Sequence, residues 1–237
     1  MRLRNADSPM LSAAFFRPRF IAETLSGVPL VAGCRVAPGD VPAPDAATWL
    51  TADEGQRAAA MRGDRRRAQF IAGRWLLRRV AGELFGDAGY VLETSADRPF
   101  LRTRDGSSAS CSVSHSGNVV VCAAGRVVAC GIDVERVRPR SDWNALCERV
   151  LHPAERRRLA QLDDAARWRG FYDFWVVKEA VAKALGIGLA FPFAALCIAD
   201  GRIRETPPGY GLEDAAWRVC ALDVGPGMAA ALAWRTD

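Results

Sequence analysis

The stretch GFYDFWVVKEAVAKALGIGL, residues 170–189, combines a long helical pattern with an unusual use of charge. Apolar residues recur at helical spacing over residues 168–185, and Gly186 then provides a helix-ending residue. The stretch also contains Lys178 and Lys183, the only two lysines in the chain, whereas the other 30 of its 32 basic residues are arginine. The pattern therefore predicts a long helix that carries two chemically distinct side chains.

The positions within this helix separate an apolar stripe from a charged face. At about 100° per residue, Val177 and Val181 share the stripe, and Lys178 lies at its margin, where its ammonium group could reach water. Glu179 and Lys183 lie together on the other side, four residues apart. One interpretation of this pair is an ordinary salt bridge, worth about 0.2–0.5 kcal/mol. The other is a lysine that binds phosphate beside a glutamate that binds a metal ion. The use of lysine in an arginine-rich chain makes this second interpretation equally favoured, because lysine is a compact point charge.

The segment GIDVE, residues 131–135, follows the apolar run VVAC and predicts a buried strand. Alternate residues of a strand share a face, so Ile132 and Val134 should point into the core, and Asp133 and Glu135 should point together the other way. Two carboxylates about 7 Å apart repel each other unless a positive charge lies between them. A hard cation such as Mg²⁺ would suit this position. A solvated strand edge with arginine neighbours is the alternative.

The segment SVSHSGN, residues 112–118, predicts the end of a strand followed by a turn. His115 lies between two serines, and Gly117 permits the turn. The segment is either a simple turn or a donor cluster for phosphate, made of imidazole, hydroxyl and backbone N–H groups. A serine–histidine nucleophile pair is not implied, because adjacent side chains of a strand point to opposite faces.

The chain shows a long helix followed by several strands in each half. Residues 53–85 and 168–185 predict the helices, and Thr51 with Glu54 predicts a capping box for the first. Residues 1–48 are rich in Pro, Ala and Gly and predict an irregular arm with one strand near residues 28–36. We therefore expect an α+β protein of two similar lobes, residues 1–130 and 131–237.

The composition is that of an ordinary soluble globular protein, half hydrophobic and a quarter charged. The net charge of +5 indicates an anionic partner, which could be nucleic acid, a phosphorylated cofactor or an acidic protein. The seven cysteines form no CxxC pair, which favours free thiols in a reducing compartment over a zinc site. Because the apolar run LSAAFF is too short for a signal peptide and no run could span a bilayer, we expect a cytoplasmic protein.

Taken in order, SVSHS, GIDVE and FWVVKEAVAKALGIGL resemble the 4′-phosphopantetheinyl transferase family. The last two match its signatures G-[IV]-D-[VI]-E and W-x-x-K-E-A-x-x-K, and DRPFL, residues 97–101, resembles its Gly-Lys/Arg-Pro segment. The resemblance covers roughly residues 50–189 and is closest to the larger, single-chain type. It implies two fused α+β lobes related by a pseudo-twofold, each a small antiparallel sheet on a long helix, with the active site in the cleft between them.

The resemblance implies transfer of the 4′-phosphopantetheine part of coenzyme A to a serine of an acyl or peptidyl carrier protein. It further implies Mg²⁺ as the cofactor, coenzyme A as the co-substrate and adenosine 3′,5′-bisphosphate as the released product. The expected partner is an acidic carrier protein, with no nucleic acid and no membrane involved, and the fused type suggests a monomer. Fatty acid, polyketide, nonribosomal peptide and siderophore pathways all remain open.

The resemblance also implies roles for individual residues. Three carboxylates would hold Mg²⁺: Asp133, Glu135 and Glu179. Glu179, or a water that it orients, would take the proton from the carrier serine, and Lys183 would contact the pyrophosphate with Lys178 assisting. The remaining implied contacts to coenzyme A are Arg57 at the 3′-phosphate, Pro99 near the adenine, and Arg98, Ser114 and His115 at the phosphates.

Two other functions fit parts of the pattern. A Mg²⁺-dependent nucleotide phosphohydrolase would use the same three carboxylates and need no protein partner. A basic nucleic-acid-binding protein would use the arginine runs GDRRRAQ, residues 63–69, and PAERRRLA, residues 153–160. These runs lack the interleaved aromatic residues that stack on bases, which makes this the weaker alternative.

Overall fold

The computed structural model describes residues 14–15, 27–36, 46–95, 98–213 and 215–236, and it shows an α+β fold. The helices are α1 (Ala46–Trp49), α2 (Ala52–Ala60), α3 (Asp64–Phe85), α4 (Trp143–Val150), α5 (Pro153–Leu159) and α6 (Asp164–Leu185). The strands are β1 (Ala14–Phe15), β2 (Leu30–Arg35), β3 (Tyr90–Ser95), β4 (Arg98–Thr103), β5 (Ser110–Ser116), β6 (Val119–Gly125), β7 (Ala129–Arg136), β8 (Cys197–Ala199), β9 (Arg202–Glu205), β10 (Trp217–Ala221) and β11 (Met228–Arg235).

Two antiparallel sheets form the centre of the fold. The first has the strand order β1-β2-β6-β5, and the second has the order β10-β11-β7. β3 with β4 and β8 with β9 form two-stranded sheets beside them. β5 is therefore an edge strand of the first sheet and β7 is an edge strand of the second.

The packing of the two sheets follows the two-residue period of their strands. On β6, Val120 packs with Leu76 of α3, whereas the neighbouring Val121 packs with Ile132 of β7. On β11, Ala231 belongs to the core that includes α6, on the face opposite Leu232. The buried clusters thus follow the order α3, first sheet, second sheet, α6.

The second sheet and α6 approach each other most closely at Gly131 of β7. A Cβ atom on this residue would lie 1.9 Å from the carbonyl oxygen of Ala180 and 2.5 Å from the backbone nitrogen of Ala184. Any side chain there would have to separate the strand from the helix. The glycine of the GIDVE segment therefore sets the distance between the acidic strand and the lysine-bearing helix.

The local sequence signals account for where the helices begin and end. Thr51 and Glu54 form the predicted capping box at the start of α2. The single helix predicted over residues 53–85 is instead two helices, separated where Gly63 adopts a φ of 91°. Asp163 caps α6, which begins four residues before its predicted start and ends at the left-handed Gly186, as expected.

The strand predicted near residues 28–36 is confirmed as β2. Most of the predicted N-terminal arm, residues 1–48, lies outside the described residues, as does Asp97 of the DRPFL segment. The short strand β9 was not expected, because its sequence RIRE alternates charge with a single apolar residue. Within the described part of the chain, no helix is both long enough and apolar enough to span a bilayer.

We predict that Gly131→Ala lowers the free energy of unfolding by about 1–3 kcal/mol or more, because the new methyl group overlaps the backbone of α6. The matched control is Gly55→Ala within α2, where a Cβ meets nothing within 4 Å. That change should raise stability by about 0.4–1 kcal/mol. Urea denaturation measures both, and equal effects of the two substitutions would contradict the close approach.

Candidate active site

The acidic side chains of β7 point towards α6. Ile132 and Val134 are fully buried in the core between the sheets, and Asp133 and Glu135 lie on the opposite face, as the alternation predicted. Glu179 on α6 is also buried and is electrostatically coupled to both carboxylates. The fold therefore brings together the three carboxylates that the sequence placed on a strand and a helix.

A row of serines on β5 joins the two sheets. Residues 112, 114 and 116 are serine, so their side chains share one face of the strand. Each hydroxyl accepts a hydrogen bond from a backbone N–H of β7: Ser112 from Ile132 at 3.1 Å, Ser114 from Val134 at 3.4 Å, and Ser116 from Arg136 at 3.0 Å. We call these three residues the serine row. They connect two edge strands through side chains rather than through backbone carbonyls.

Lys183 reaches from α6 to the junction between β5 and β7. Its Nζ donates to Asp133 Oδ1 at 2.6 Å, to Ser114 Oγ at 2.8 Å and to the carbonyl of Ile132 at 3.2 Å. Ser114 in turn donates its hydroxyl proton to Asp133 Oδ1 at 2.8 Å. Lys183 therefore forms its ion pair with Asp133 of β7, and not with Glu179 as the spacing of four residues on the helix had suggested.

The charges of this cluster are not balanced internally. Burial, reinforced by the negative charge of Asp133, raises the pKa of Glu179 to about 7. Burial also raises the pKa of Glu135 above its usual value. Asp133 Oδ2 is buried and has no hydrogen-bond partner among the described residues. Several buried carboxylates with an unpartnered oxygen are what a bound cation would stabilise.

The donor set also fits Mg²⁺ chemically, since carboxylate oxygens are the ligands that this hard ion takes from proteins. Asp133, Glu135 and Glu179 would supply them. In the described part of the chain, one oxygen cannot be chosen from each of these three carboxylates so that all three lie within 4.8 Å of one another. Binding of an ion would therefore draw the side chains closer.

His115 lies at the end of the serine-bearing strand next to an arginine that the sequence did not single out. Its Nε2 is in close contact with Nη1 of Arg66, near the start of α3. Burial and the positive charge of Arg66 lower the pKa of His115 to about 4. The imidazole is therefore neutral at pH 7, and the positive charge at this end of β5 comes from Arg66.

Lys178 does not lie where the sequence placed it. It is fully buried, and its Nζ donates to the carbonyls of Val150, Phe193 and Leu196 at 2.6–2.9 Å and forms an ion pair with Glu155 Oε2 at 2.7 Å. The prediction that Lys178 reaches water and assists at the pyrophosphate is therefore wrong. Burial lowers its pKa, and Glu155 opposes that shift.

The remaining predicted contacts lie on other elements. Arg98 donates through Nη2 to the carbonyl of Gly186, three residues beyond Lys183, and so connects β4 to the end of α6. Pro99 is half-buried on the same strand. Arg57 lies on α2, with its guanidinium carbon 5.5 Å from the centre of the Phe70 ring. The structure places Arg66, rather than Arg57, in contact with His115.

Sequence reasoning missed three residues of this region. Ser116 belongs to the serine row, and its signal was visible, because serine occupies every second position of SVSHS. Glu155 was detectable only as the third residue of a helix that begins with a proline. Arg66 lies within a run of three arginines, and nothing in that run distinguishes it from its neighbours.

A separate cluster of possible metal ligands lies at the start of α5. Atoms of His152, Cys197 and Glu205 lie within 4.8 Å of one another. However, His152 Nδ1 accepts a hydrogen bond from the backbone of Ala154, which places the imidazole proton on Nε2. Nε2 lies 3.6 Å from Glu205 Oε2. His152 therefore already serves as the cap of α5, and its other nitrogen lies beside Glu205.

Comparison with known proteins agrees with this geometry. Residues 129–233 match the family model of the 4′-phosphopantetheinyl transferase superfamily. These residues contain β7, α6 and most of β11, and thus all three carboxylates and both lysines. This part of the chain is therefore similar to the 4′-phosphopantetheinyl transferase superfamily.

Individual relatives point to the same superfamily. The chain is 36% identical over 150 residues to 4′-phosphopantetheinyl transferase HetI of Nostoc sp., covering 62% of this chain and 63% of the relative. It is 29% identical over 125 residues to 4′-phosphopantetheinyl transferase AcpT of Salmonella typhi, covering 51% and 60%. The chain therefore spans less than two thirds of the length of the curated relatives it matches. A solved structure, the holo-[acyl-carrier-protein] synthase of Thermotoga maritima, aligns with a TM-score of 0.38 at 24% identity, covering 47% and 64%.

We predict that Lys178→Met costs about 3–5 kcal/mol of unfolding free energy, because it leaves Glu155 buried and unpaired. Glu155→Gln should also be destabilising, because it leaves the ammonium group without its counter-charge. The double variant should lose less than the sum of the two single losses, since neither charge then remains unpaired. Chemical denaturation of the four proteins tests this, and strictly additive losses would show that the two charges do not stabilise each other.

Proposed function

We propose that this chain transfers the 4′-phosphopantetheine group of coenzyme A to a serine of an acyl or peptidyl carrier protein. The observation that carries the proposal is the contact of Lys183 with Asp133 and Ser114, beside a buried carboxylate oxygen that has no partner. A phosphate-binding cation and a cation-binding carboxylate are thus adjacent. The similarity of residues 129–233 to the superfamily model, and that of the chain to HetI, support the same reaction.

Asp133, Glu135 and Glu179 would hold Mg²⁺ in this proposal. When bound, the ion would neutralise charge on the pyrophosphate oxygens of coenzyme A. Lys183 would bind the same phosphate group as a point charge. Ser114 would hold the ammonium group of Lys183 in place, since the two already form a hydrogen bond of 2.8 Å.

Glu179 would act as the proton acceptor. The carrier serine forms a new O–P bond, the bond from that phosphorus to the oxygen of the leaving adenosine 3′,5′-bisphosphate breaks, and the serine proton passes to Glu179 or to a water that it orients. Burial raises the pKa of Glu179 to about 7 in the metal-free site, and a bound Mg²⁺ would oppose this shift by favouring the ionised carboxylate. In that ionised form, Glu179 could accept a proton.

The remaining coenzyme A contacts would come from both halves of the chain. Arg66, His115 and Arg98 would bind phosphate oxygens, with Pro99 near the adenine. We assign the 3′-phosphate to Arg66 in preference to Arg57, because Arg66 contacts the neutral His115 and both lie near the site. Ser114 already uses its only proton on Asp133, so it would contact a phosphate only by releasing that bond.

In the same proposal, residues 1–130 and 131–237 are two fused lobes related by a pseudo-twofold, with the cofactor in the cleft between them. The position of the site supports this, because the serine row comes from β5 and the carboxylates come from β7 and α6. The net charge of +5 would favour the docking of an acidic carrier protein over that of a basic one. We further propose a cytoplasmic monomer that needs neither nucleic acid nor a membrane.

The deciding experiment is intact-mass analysis of an apo carrier protein incubated with the chain, coenzyme A and Mg²⁺. We predict the gain of one phosphopantetheine unit, its loss when a chelator is added, and a fall of at least about 100-fold in rate for Glu179→Gln. Lys183→Arg should also be slow, because a guanidinium cannot replace a point charge between Asp133 and Ser114. Hydrolysis of coenzyme A without any transfer would instead favour a Mg²⁺-dependent phosphohydrolase.

We also predict that Arg66→Ala raises the KM for coenzyme A by about tenfold or more, since a hydrogen bond to a charged group is worth about 1.5–3 kcal/mol. The KM for dephospho-coenzyme A, which lacks the 3′-phosphate, should change little. Arg57→Ala is the matched control and should leave both values nearly unchanged. A larger effect of Arg57→Ala on coenzyme A alone would return the 3′-phosphate contact to that residue.

A further inference from the structure

We infer that Ser116 is a positioning residue that holds the carboxylate of Glu135 towards the metal ligands Asp133 and Glu179. This inference rests on the proposed function for the role of Glu135. It concerns a residue that would touch neither the coenzyme nor the ion. Ser116 would act only through the glutamate to which it is hydrogen-bonded.

The hydrogen bonds of Ser116 fix both ends of its hydroxyl group. Ser116 Oγ accepts from the backbone N–H of Arg136 at 3.0 Å and donates to Glu135 Oε2 at 2.7 Å. A serine hydroxyl has a single proton, so once its lone pair is engaged by β7 the proton is directed to the carboxylate. A charge-assisted O–H···O⁻ bond of this length is among the stronger ones in proteins.

The serine row repeats the same unit along the two strands. Ser114 accepts from the N–H of Val134 and donates to Asp133, just as Ser116 accepts from Arg136 and donates to Glu135. Each unit therefore binds the backbone of one β7 residue and the carboxylate of the residue before it. The spacing of two residues on both strands keeps the units in register.

The third unit of the row lacks a carboxylate. Ser112 accepts from the N–H of Ile132 at 3.1 Å, but the preceding residue of β7 is Gly131, which has no side chain to bind. Ser112 thus joins the two strands but forms no hydrogen bond with a carboxylate of β7. It provides an internal control, because its removal should affect the junction but not the carboxylates.

Glu135 depends on its serine more than Asp133 does. Asp133 is also held by Lys183 at 2.6 Å, whereas within the described residues Ser116 is the hydrogen-bond donor to the Glu135 side chain. Glutamate has one more rotatable bond than aspartate and therefore loses more freedom when it is ordered. Without Ser116, the Glu135 side chain would lose this freedom only when the ion binds. The cost of ordering the side chain would then reduce the affinity for the ion.

The test measures binding of Mn²⁺, a paramagnetic substitute for Mg²⁺, to the full chain by electron paramagnetic resonance, with and without coenzyme A. Removal of a residue that orients a metal ligand typically lowers affinity about 10–100-fold, so we expect Ser116→Ala to weaken Mn²⁺ binding by at least about tenfold. Ser116→Thr keeps the hydroxyl and should stay within about twofold of the unchanged chain, and Ser112→Ala should bind Mn²⁺ normally. In a Glu135→Gln background, Ser116→Ala should have no further effect.

The possible outcomes separate this inference from the proposed function. If the unchanged chain binds no Mn²⁺, the proposed metal site and the role of Ser116 both fail. If the unchanged chain binds Mn²⁺ and Ser116→Ala binds it equally well, only the role of Ser116 fails. If Ser112→Ala weakens binding as much as Ser116→Ala, the effect comes from the register of the strands, and Ser116 does not position Glu135.

Discussion

The close approach of β7 and α6 at Gly131 is the constraint on which the candidate site depends. Because the strand backbone lies directly against the helix backbone, the residues that follow Gly131 on the strand meet the polar face of the helix. Asp133 consequently lies within reach of Lys183, and Glu179 is buried near both acidic residues of the strand. Glycine is the only residue that allows this contact, because it has no Cβ atom. The position of Asp133 thus depends on the absence of a side chain two residues earlier on the strand.

The two lysines of the chain have different structural roles, although they lie only five positions apart on the same helix. Lys178 is enclosed by three carbonyls and by Glu155, which also accepts the N–H of Ile198 and caps α5. An ammonium group donates three hydrogen bonds from a single atom, which suits a small enclosed space better than a planar guanidinium does. Lys183 uses the same compact charge where the cluster is partly open. One lysine therefore fixes α6 against its neighbours, and the other presents its charge in the site.

Much of the fold and of the site could be predicted from local patterns. The alternation in GIDVE correctly separated Ile132 from Asp133, and the capping box at Thr51 was found where expected. The burial of Lys178 could not be predicted, because the carbonyls that surround it belong to segments 15–28 residues away in the chain. The contact between Arg66 and His115 likewise spans 49 residues. Periodicity shows which face of an element is polar, but it does not show which distant element will meet that face.

The serine row also affects how the molecule behaves towards other copies of itself. β5 and β7 are both edge strands, and an edge strand with free backbone groups offers a template on which another chain can add a strand and start aggregation. Here the N–H groups of Ile132, Val134 and Arg136 on β7 are covered by serine hydroxyls of β5. Since both strands belong to largely buried sheets, leaving these edges open would make the protein prone to aggregation. The three hydroxyls of the serine row, two of which also bind the carboxylates of Asp133 and Glu135, therefore protect this edge from the addition of another chain.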